Sequence, residues 1–340
     1  MDYRTLGSVA NGTALEVSVV GFGCMGMSHA YGNPLGQREA TDLVAQAVDA
    51  GCTFFDTAEC YGTADDPHAN EVLVGRALAP YRDKAKIATK FGIHFDLDDG
   101  QVNHGLVPDA RLETIRASVE GSLRRLGTDR IDLYFQHRQD PSVPVEEVAG
   151  VMADLIAEGK ILHWGLSEVD EATIRRAHAV CPLTAVENRY SMMARWHESL
   201  FGTLEELGIG FVAFSPMANG LLTGRYTETA SFDEPGDYRA VMPQFAPGAH
   251  ERNRPLLELL EGTAQRHGAS PAQISLAWML CKKPYIVPIP GTRKPERLAE
   301  NLGAADVALS ADEVAAIDAA LDAMDLSDVF GGSAVRARQQ

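Results

Sequence analysis

The chain has 340 residues, 45% of them hydrophobic and 23% charged, and a formal net charge of −17. That is enough apolar material for a full core. The acidic balance excludes nucleic acid or an anionic membrane surface as the main partner, though not a local basic pocket for one anionic ligand. The five cysteines form no CxxC pair, the N-terminus lacks a signal-peptide pattern and no apolar run approaches a membrane span, so a cytoplasmic protein without disulfides is expected.

Residues 3–17 contain two short apolar pieces around an Asn11-Gly12 turn, which predicts a hairpin able to close the bottom of a barrel. Short apolar strands are then expected over residues 17–21, 53–56, 86–90, 131–137, 163–167, 185–188, 210–215 and 286–289. Helical periodicity falls between them, at 39–50, 69–79, 109–126, 145–158, 170–180, 197–207, 253–267 with 271–282, and 294–303. A further amphipathic stretch spans 311–324. An open doubly wound sheet has the same alternation. Eight units without a composition break instead predict an α/β chain folded as a closed (β/α)8 TIM barrel, one domain over residues 1–340 with a tail at 326–340. Two long stretches, 92–108 and 223–253, follow strands and so belong to the C-terminal face, where barrels build their sites.

Gly21-Phe22-Gly23-Cys24-Met25-Gly26 has the form GxGxxG after a strand. A dinucleotide-binding helix should open at the third glycine, but Gly32 and Pro34 break any helix there. The better reading is a glycine-rich turn at the top of the first strand, where Gly23, Cys24 and Met25 let backbone approach a ligand. Asp96-Leu97-Asp98-Asp99-Gly100 lacks the spacing and distal Glu of a calcium loop, and the histidines have no metal-ligand spacing, so no metal is expected. Trp164 and Trp278 are assigned to the core, and Trp196 to the wall of a substrate pocket.

Four polar residues fall at or just past the ends of three consecutive strands: Asp56, Tyr61, Lys90 and His137. Taken singly, each has a bland reading. Asp56 can cap a turn, Tyr61 can be a loop aromatic, and Lys90 and His137 can be structural. Together on one rim they suit reduction of a carbonyl by hydride. Negative charge develops on the oxygen, which needs a proton. Tyr61 can supply it, Lys90 can lower the tyrosine pKa, Asp56 can hold Lys90, and a neutral His137 can orient the oxygen.

At this point the chain resembles the aldo-keto reductase superfamily. The resemblance rests on Asp56-Thr57-Ala58-Glu59-Cys60-Tyr61-Gly62, on Asn70-Glu71 with Gly75, and on Ile131-Asp132-Leu133-Tyr134-Phe135-Gln136-His137. Gly159-Lys160-Ile161 with Gly165-Leu166-Ser167 adds to it. It implies a catalytic tetrad of Tyr61, Asp56, Lys90 and His137, with Tyr61 as general acid. It also implies NADPH/NADP+ extended across the barrel mouth, with Asp56 among the groups near the nicotinamide. The carboxamide is expected near Ser167. Phe214 matches the aromatic that stacks on the nicotinamide ring, and the chain after it (Ser215, Pro216, Met217, Asn219, Gly220, Leu222) matches the pyrophosphate-binding run. Gly291, Thr292, Arg293, Arg297, Glu300 and Asn301 match the adenosine end. Thr292, Arg293, Lys294 and Arg297 also form a basic cluster at a loop-to-helix junction, suited to a 2′-phosphate, although a solvated basic turn has the same composition.

The chain departs from the family pattern twice. Glu168 stands where Asn is common, and Glu187 where Gln is common. Both are kept as carboxamide-side residues, with Asn188 or Arg189 as alternatives if the register differs. The resulting expectation is an NADPH-dependent oxidoreductase that converts a small-molecule aldehyde or ketone to an alcohol. A slow, cofactor-binding regulatory subunit and an alcohol or sugar dehydrogenase are the alternatives. No nucleic-acid or membrane partner is expected, a homo-oligomer is left open, and substrate identity is not legible.

Overall fold

The computed structural model describes residues 1–63, 65–96 and 105–331. The chain opens with an antiparallel hairpin, β1 (Tyr3–Leu6) and β2 (Leu15–Ser18), in register from Tyr3↔Ser18 to Leu6↔Leu15. Gly12, at φ +69°, donates to the Val9 carbonyl at 3.1 Å and closes its turn. Leu6, Leu15 and Val17 pack into one apolar cluster with Phe54, Leu133, Phe135 and Val212 from the barrel interior. Hairpin and barrel floor thus bury each other's apolar faces, and the hairpin plugs the barrel. Arg4 ties the plug down by donating to the carbonyls of Leu280, Lys283 and Ile286 at 2.5–2.9 Å.

After the hairpin come β3 (Phe22–Gly23), α1 (Gln37–Asp49), β4 (Phe54–Asp56), α2 (Ala69–Leu78), β5 (Lys86–Phe91) and a small hairpin of β6 (Ile93–Phe95) and β7 (Leu106–Pro108). Then α3 (Leu112–Leu126), β8 (Ile131–Gln136), α4 (Val145–Ala157), β9 (Ile161–Ser167), α5 (Glu171–Val180), β10 (Ala185–Arg189), α6 (Phe201–Leu207) and β11 (Gly210–Phe214) follow. The chain continues through α7 (Ala249–His267), α8 (Pro271–Lys282), β12 (Ile286–Pro288), α9 (Pro295–Leu302) and α10 (Ala311–Ala323). The main sheet has eight parallel strands in the order β12-β11-β10-β9-β8-β5-β4-β3. Gly21 N donates to Pro288 O at 2.9 Å and Gly23 N to Pro290 O at 3.3 Å, which closes the sheet into the expected (β/α)8 barrel.

Several helix limits follow from local chemistry. Ser270 and Ser310 form capping boxes with Gln273 and Glu313, Asp170 caps α5, and left-handed Gly127, Gly208 and Gly268 end α3, α6 and α7. Trp164 and Trp278 are fully buried, as expected.

The first barrel strand is not where sequence places it. Residues 17–18 belong to the plug hairpin, and the barrel strand is the two-residue β3 that follows. The valine run of residues 17–20 alternates like a strand but divides between the end of β2 and the bend that follows it. The glycines also have a packing purpose that sequence does not reveal. A Cβ on Gly23 would lie 2.6 Å from the Ile289 carbonyl oxygen, and one on Gly21 would lie 2.8 Å from the Phe54 ring. They permit closure of the barrel seam, and a short 3-10 turn, Met25–Met27, follows in place of a dinucleotide helix. The acidic stretch Asp96–Gly100 lies almost wholly outside the described residues, apart from Asp96.

Candidate active site

The parallel strands end on one rim, and Asp56, Lys90 and His137 arrive there from β4, β5 and the end of β8, with Tyr61 on the loop after β4. Lys90 is fully buried. Its Nζ donates to Asp56 Oδ1 at 2.7 Å and Oδ2 at 2.6 Å, to the Thr57 carbonyl at 2.9 Å and to the Tyr61 hydroxyl at 3.3 Å. A second carboxylate, Glu187 Oε1 from β10, lies 3.2 Å from the same nitrogen. The sequence therefore delivers the four expected groups to one place, and adds a fifth.

Two acids beside one buried base make an unusual charge set. Burial raises the Asp56 and Glu187 carboxyls, and the Asp56 charge raises Glu187 further; Lys90 offsets part of this for both, and the Glu187 carboxyl lowers Asp56 by hydrogen bonding. Those carboxylates in turn hold the Lys90 ammonium well above its ordinary pKa despite burial. Tyr61 departs from expectation. Lys90 does pull its pKa down, but burial outweighs that pull and the net shift is upward. The phenol therefore keeps its proton. His137 is pushed well below its ordinary pKa by burial first, then by Arg138 and Lys90, so the ring is neutral. Its Nδ1 lies 3.5 Å from the Cys60 thiol, and its ring meets the Tyr61 ring edge-on at 5.6 Å.

An open cleft lies over these groups. Tyr61, His137, Ser167, Glu187 and Phe214 line it, together with Met25, Ser215 and Asn219. Glu187 Oε2 is buried and has no hydrogen-bond partner. The carboxamide-side residues divide. Ser167 and Glu187 face the cleft, but Glu168 turns away. Glu168 Oε1 accepts the Arg189 backbone N–H at 2.7 Å and lies 3.6 Å from His197 Nε2, in a backbone held at φ +53°. Of the two alternatives, Arg189 lines the cleft, whereas the Asn188 side chain serves the Glu168 N–H and His197.

Beyond Phe214, Ser215, Ala218, Asn219 and Gly220 all take positive φ, which coils the chain tightly at the strand end. Cys24 and Leu222 are fully buried, and Met217 nearly so; Cys24 N–H is spent on the Asp56 carbonyl and Leu222 N–H on the Met217 carbonyl, so these residues shape the rim from beneath it. Pro216 is buried beside them. Across the seam, Gly291 bridges to Gly23. Arg293 donates to the Asn33 carbonyl at 2.7 Å, Glu300 pairs with Arg225 at 2.7 Å and Arg297 at 3.4 Å, Thr292 caps the Lys294 N–H, and Asn301 is buried.

Other cleft residues come from segments that sequence placed on this face without singling out the residues. His29 stacks on Tyr61 at 6.0 Å and meets Tyr238 edge-on at 5.4 Å. Tyr238 and Met242 come from the 223–253 segment and Phe330 from the tail, and all three line the cleft. Arg138 donates to the Ser167 hydroxyl at 3.2 Å; its place next to His137 was the only signal available. Trp196 is not part of this wall; it is 50% exposed and outside the cleft.

The aldo/keto reductase family model matches residues 19–322, so the chain belongs to the aldo/keto reductase family. A probable aldo-keto reductase 1 of Glycine max is 41% identical over 323 residues, covering 93% of this chain and 88% of that protein. Among solved structures, the glycerol dehydrogenase AKR11B4 from Gluconobacter oxydans is similar at a TM-score of 0.84 and 27% identity, over 98% of this chain and 99% of that one. A thermostable aldo-keto reductase in complex with the inhibitor epalrestat is similar at 0.71 and 27%, over 94% and 100%. Family and neighbours support oxidoreduction of carbonyl compounds. Among the described residues, no helix is long and apolar enough to cross a membrane.

Proposed function

We propose that this chain is a cytoplasmic reductase that converts a small-molecule aldehyde or ketone to an alcohol with NADPH, Tyr61 acting as general acid. The observation that carries this reading is the Lys90 ammonium, which contacts Tyr61 OH at 3.3 Å and Asp56 at 2.6 Å beneath an open cleft. The residues suit the cofactor. Glu187 Oε2 is an unpartnered buried acceptor or donor facing the cleft, fit for a carboxamide. Phe214 offers a half-buried ring and the positive-φ run a tight coil at the cleft edge, while Arg293 and Arg297 bring positive charge for a 2′-phosphate. The bound nicotinamide supplies the hydride.

The protein's part is to hold the carbonyl and protonate it. Neutral His137, with Nδ1 beside Cys60, offers its other ring nitrogen to the carbonyl oxygen. Tyr61 donates its proton as charge develops there. The adjacent Lys90 ammonium stabilises the phenolate left behind, and Asp56 fixes that ammonium by two hydrogen bonds. Burial keeps Tyr61 protonated until that moment. The likeness to a glycerol dehydrogenase supports a second reading, in which the same groups oxidise an alcohol and Tyr61 takes the proton back.

The test is cofactor turnover with a panel of aldehydes, ketones and polyols, in both directions and with both nicotinamide cofactors. Carbonyl-dependent NADPH oxidation that falls about 10²–10⁴-fold in Tyr61→Phe, with cofactor affinity retained, is expected. Tight NADPH binding without turnover in either direction would overturn the catalytic reading in favour of a regulatory one.

A further inference from the structure

Arg189 ends β10 with its side chain in the cleft, and only 3% of the residue is exposed. Its Nε and Nη1 are buried without any hydrogen-bond partner. The guanidinium lies 4.9 Å from the Phe214 ring centroid and 5.8 Å from that of Phe330. Glu168 is the main opposing charge it feels, but its Oε1 is spent on the Arg189 backbone N–H, and among the described residues no carboxylate forms an ion pair with this guanidinium. Burial lowers the Arg189 pKa to about 10, so the group is still charged near neutral pH. Arg138, on the wall beside His137, adds a second cation to the same cleft.

A buried charge with unused donors costs folding free energy. Two aromatic faces offset part of that cost, but they leave two nitrogens without an acceptor. A bound carboxylate forked across Nη2 and one of these nitrogens would take up part of that unused capacity and answer the charge. In a chain of net charge −17, two arginines facing one cleft form an isolated positive site.

We propose that Arg189, assisted by Arg138, is a specificity site for a carboxylate on the carbonyl substrate, so that the preferred substrates are oxo acids. This rests on the reductase reading above and names its substrate class. The carboxylate is assigned to substrate because the cofactor's anionic groups have their own candidates: the run from Ser215 for the pyrophosphate, and for the 2′-phosphate Arg293 before α9 and Arg297 in its first turn, neither of which lines this cleft. Arg189 reaches Phe330 of the tail, whereas Arg138 flanks the histidine that orients the carbonyl.

The test uses the full-length enzyme with three oxo acids of different span: pyruvate, succinate semialdehyde and 4-carboxybenzaldehyde. Each is compared with its methyl ester by kcat/KM, in wild type, Arg189→Met and Arg189→Lys. At least one acid should be preferred over its ester in wild type. That preference should fall about 10–100-fold in Arg189→Met and be partly kept in Arg189→Lys. NADPH affinity is measured in parallel by fluorescence titration. Preference for all esters, or an acid-to-ester ratio unchanged in Arg189→Met, overturns the proposal. An unchanged ratio with weakened NADPH binding also overturns it and gives Arg189 to the cofactor.

Failure of the reductase reading would look different, as no carbonyl turnover at all. Benzoate then decides the anion site by itself. Protection of wild type, but not Arg189→Met, from thermal unfolding supports the site, and no protection of wild type overturns it. Should Arg189→Met not fold, the wild-type acid-to-ester ratio and benzoate protection stand as the test.

Discussion

Glu187 reaches across the barrel to Lys90, with 3.2 Å between Oε1 and Nζ, so that one buried ammonium answers two carboxyl groups. The pair sets the electrostatics of the rim. One charge of each sign would be balanced, but the second acid leaves the cluster short of positive charge. The protein resolves this by favouring the protonated form of the added acid.

That arrangement gives stability a pH dependence. Burial raises the Glu187 carboxyl from an ordinary 4.5 to about 8, and burial beside Glu71 raises Glu59 to about 7. Between 4.5 and these values the native state holds more protons than the unfolded one, so stability is full below 4.5 and is lost as pH rises toward 8. Glu187→Gln removes one of these groups. Its melting temperature should exceed that of wild type by a margin that widens between about pH 5 and 8, on the order of 2–5 °C. Thermal unfolding at several pH values checks this, and a constant margin would remove Glu187 from the account.

Lys90→Met takes away the cation and leaves the two acids facing each other. Breaking a buried pair in this way costs about 3–5 kcal/mol. Denaturant unfolding of Lys90→Met should therefore fall well below wild type. The double variant with Glu187→Gln should recover part of the loss, because fewer charges are then stranded. Strict additivity in the double-mutant cycle would refute coupling through this contact.

Gly23→Ala tests the barrel seam. The new methyl would sit 2.6 Å from the Ile289 carbonyl oxygen, backbone against backbone, with no flexible side chain to give way. A loss of about 1–3 kcal/mol is expected in chemical denaturation. An unchanged midpoint would mean that β3 and β12 part without cost.

The tail holds the 223–253 segment by a few polar contacts. Ser327 exchanges two hydrogen bonds with Asn253, at 2.8 and 3.0 Å, and Phe330 N donates to Gln244 Oε1 at 2.8 Å. A chain ending at Leu326 lacks them. Limited proteolysis should cut within residues 223–248 about tenfold faster in that chain, since each bond contributes about 0.5–1.5 kcal/mol. Equal cutting rates would separate the tail from the segment.

Much of this was legible in the chain itself. The helices follow their periodicity and caps closely, as Ser270 with Gln273 and Ser310 with Glu313 illustrate. The convergence of Asp56, Lys90 and His137 could be read because consecutive parallel strands share one rim. The first strand was misread because period-2 alternation cannot tell a plug hairpin from a barrel strand, and β3 is too short to carry a pattern. The Tyr61 pKa was misjudged because spacing reveals Lys90 but not the depth of burial. Contacts made across the fold, such as Arg225 with Glu300 or Arg189 over Phe330, join residues 75 and 141 positions apart and leave no local trace.

The N-terminal hairpin has a kinetic consequence. With Leu6, Leu15 and Val17 packed against Phe54, Leu133 and Phe135, the barrel floor is filled, and among the described residues the cleft at the opposite rim is the doorway left to a ligand. Two ligands that share one doorway cannot exchange independently. Whichever lies deeper must arrive first and depart last, so the plug at one end imposes an order of traffic at the other.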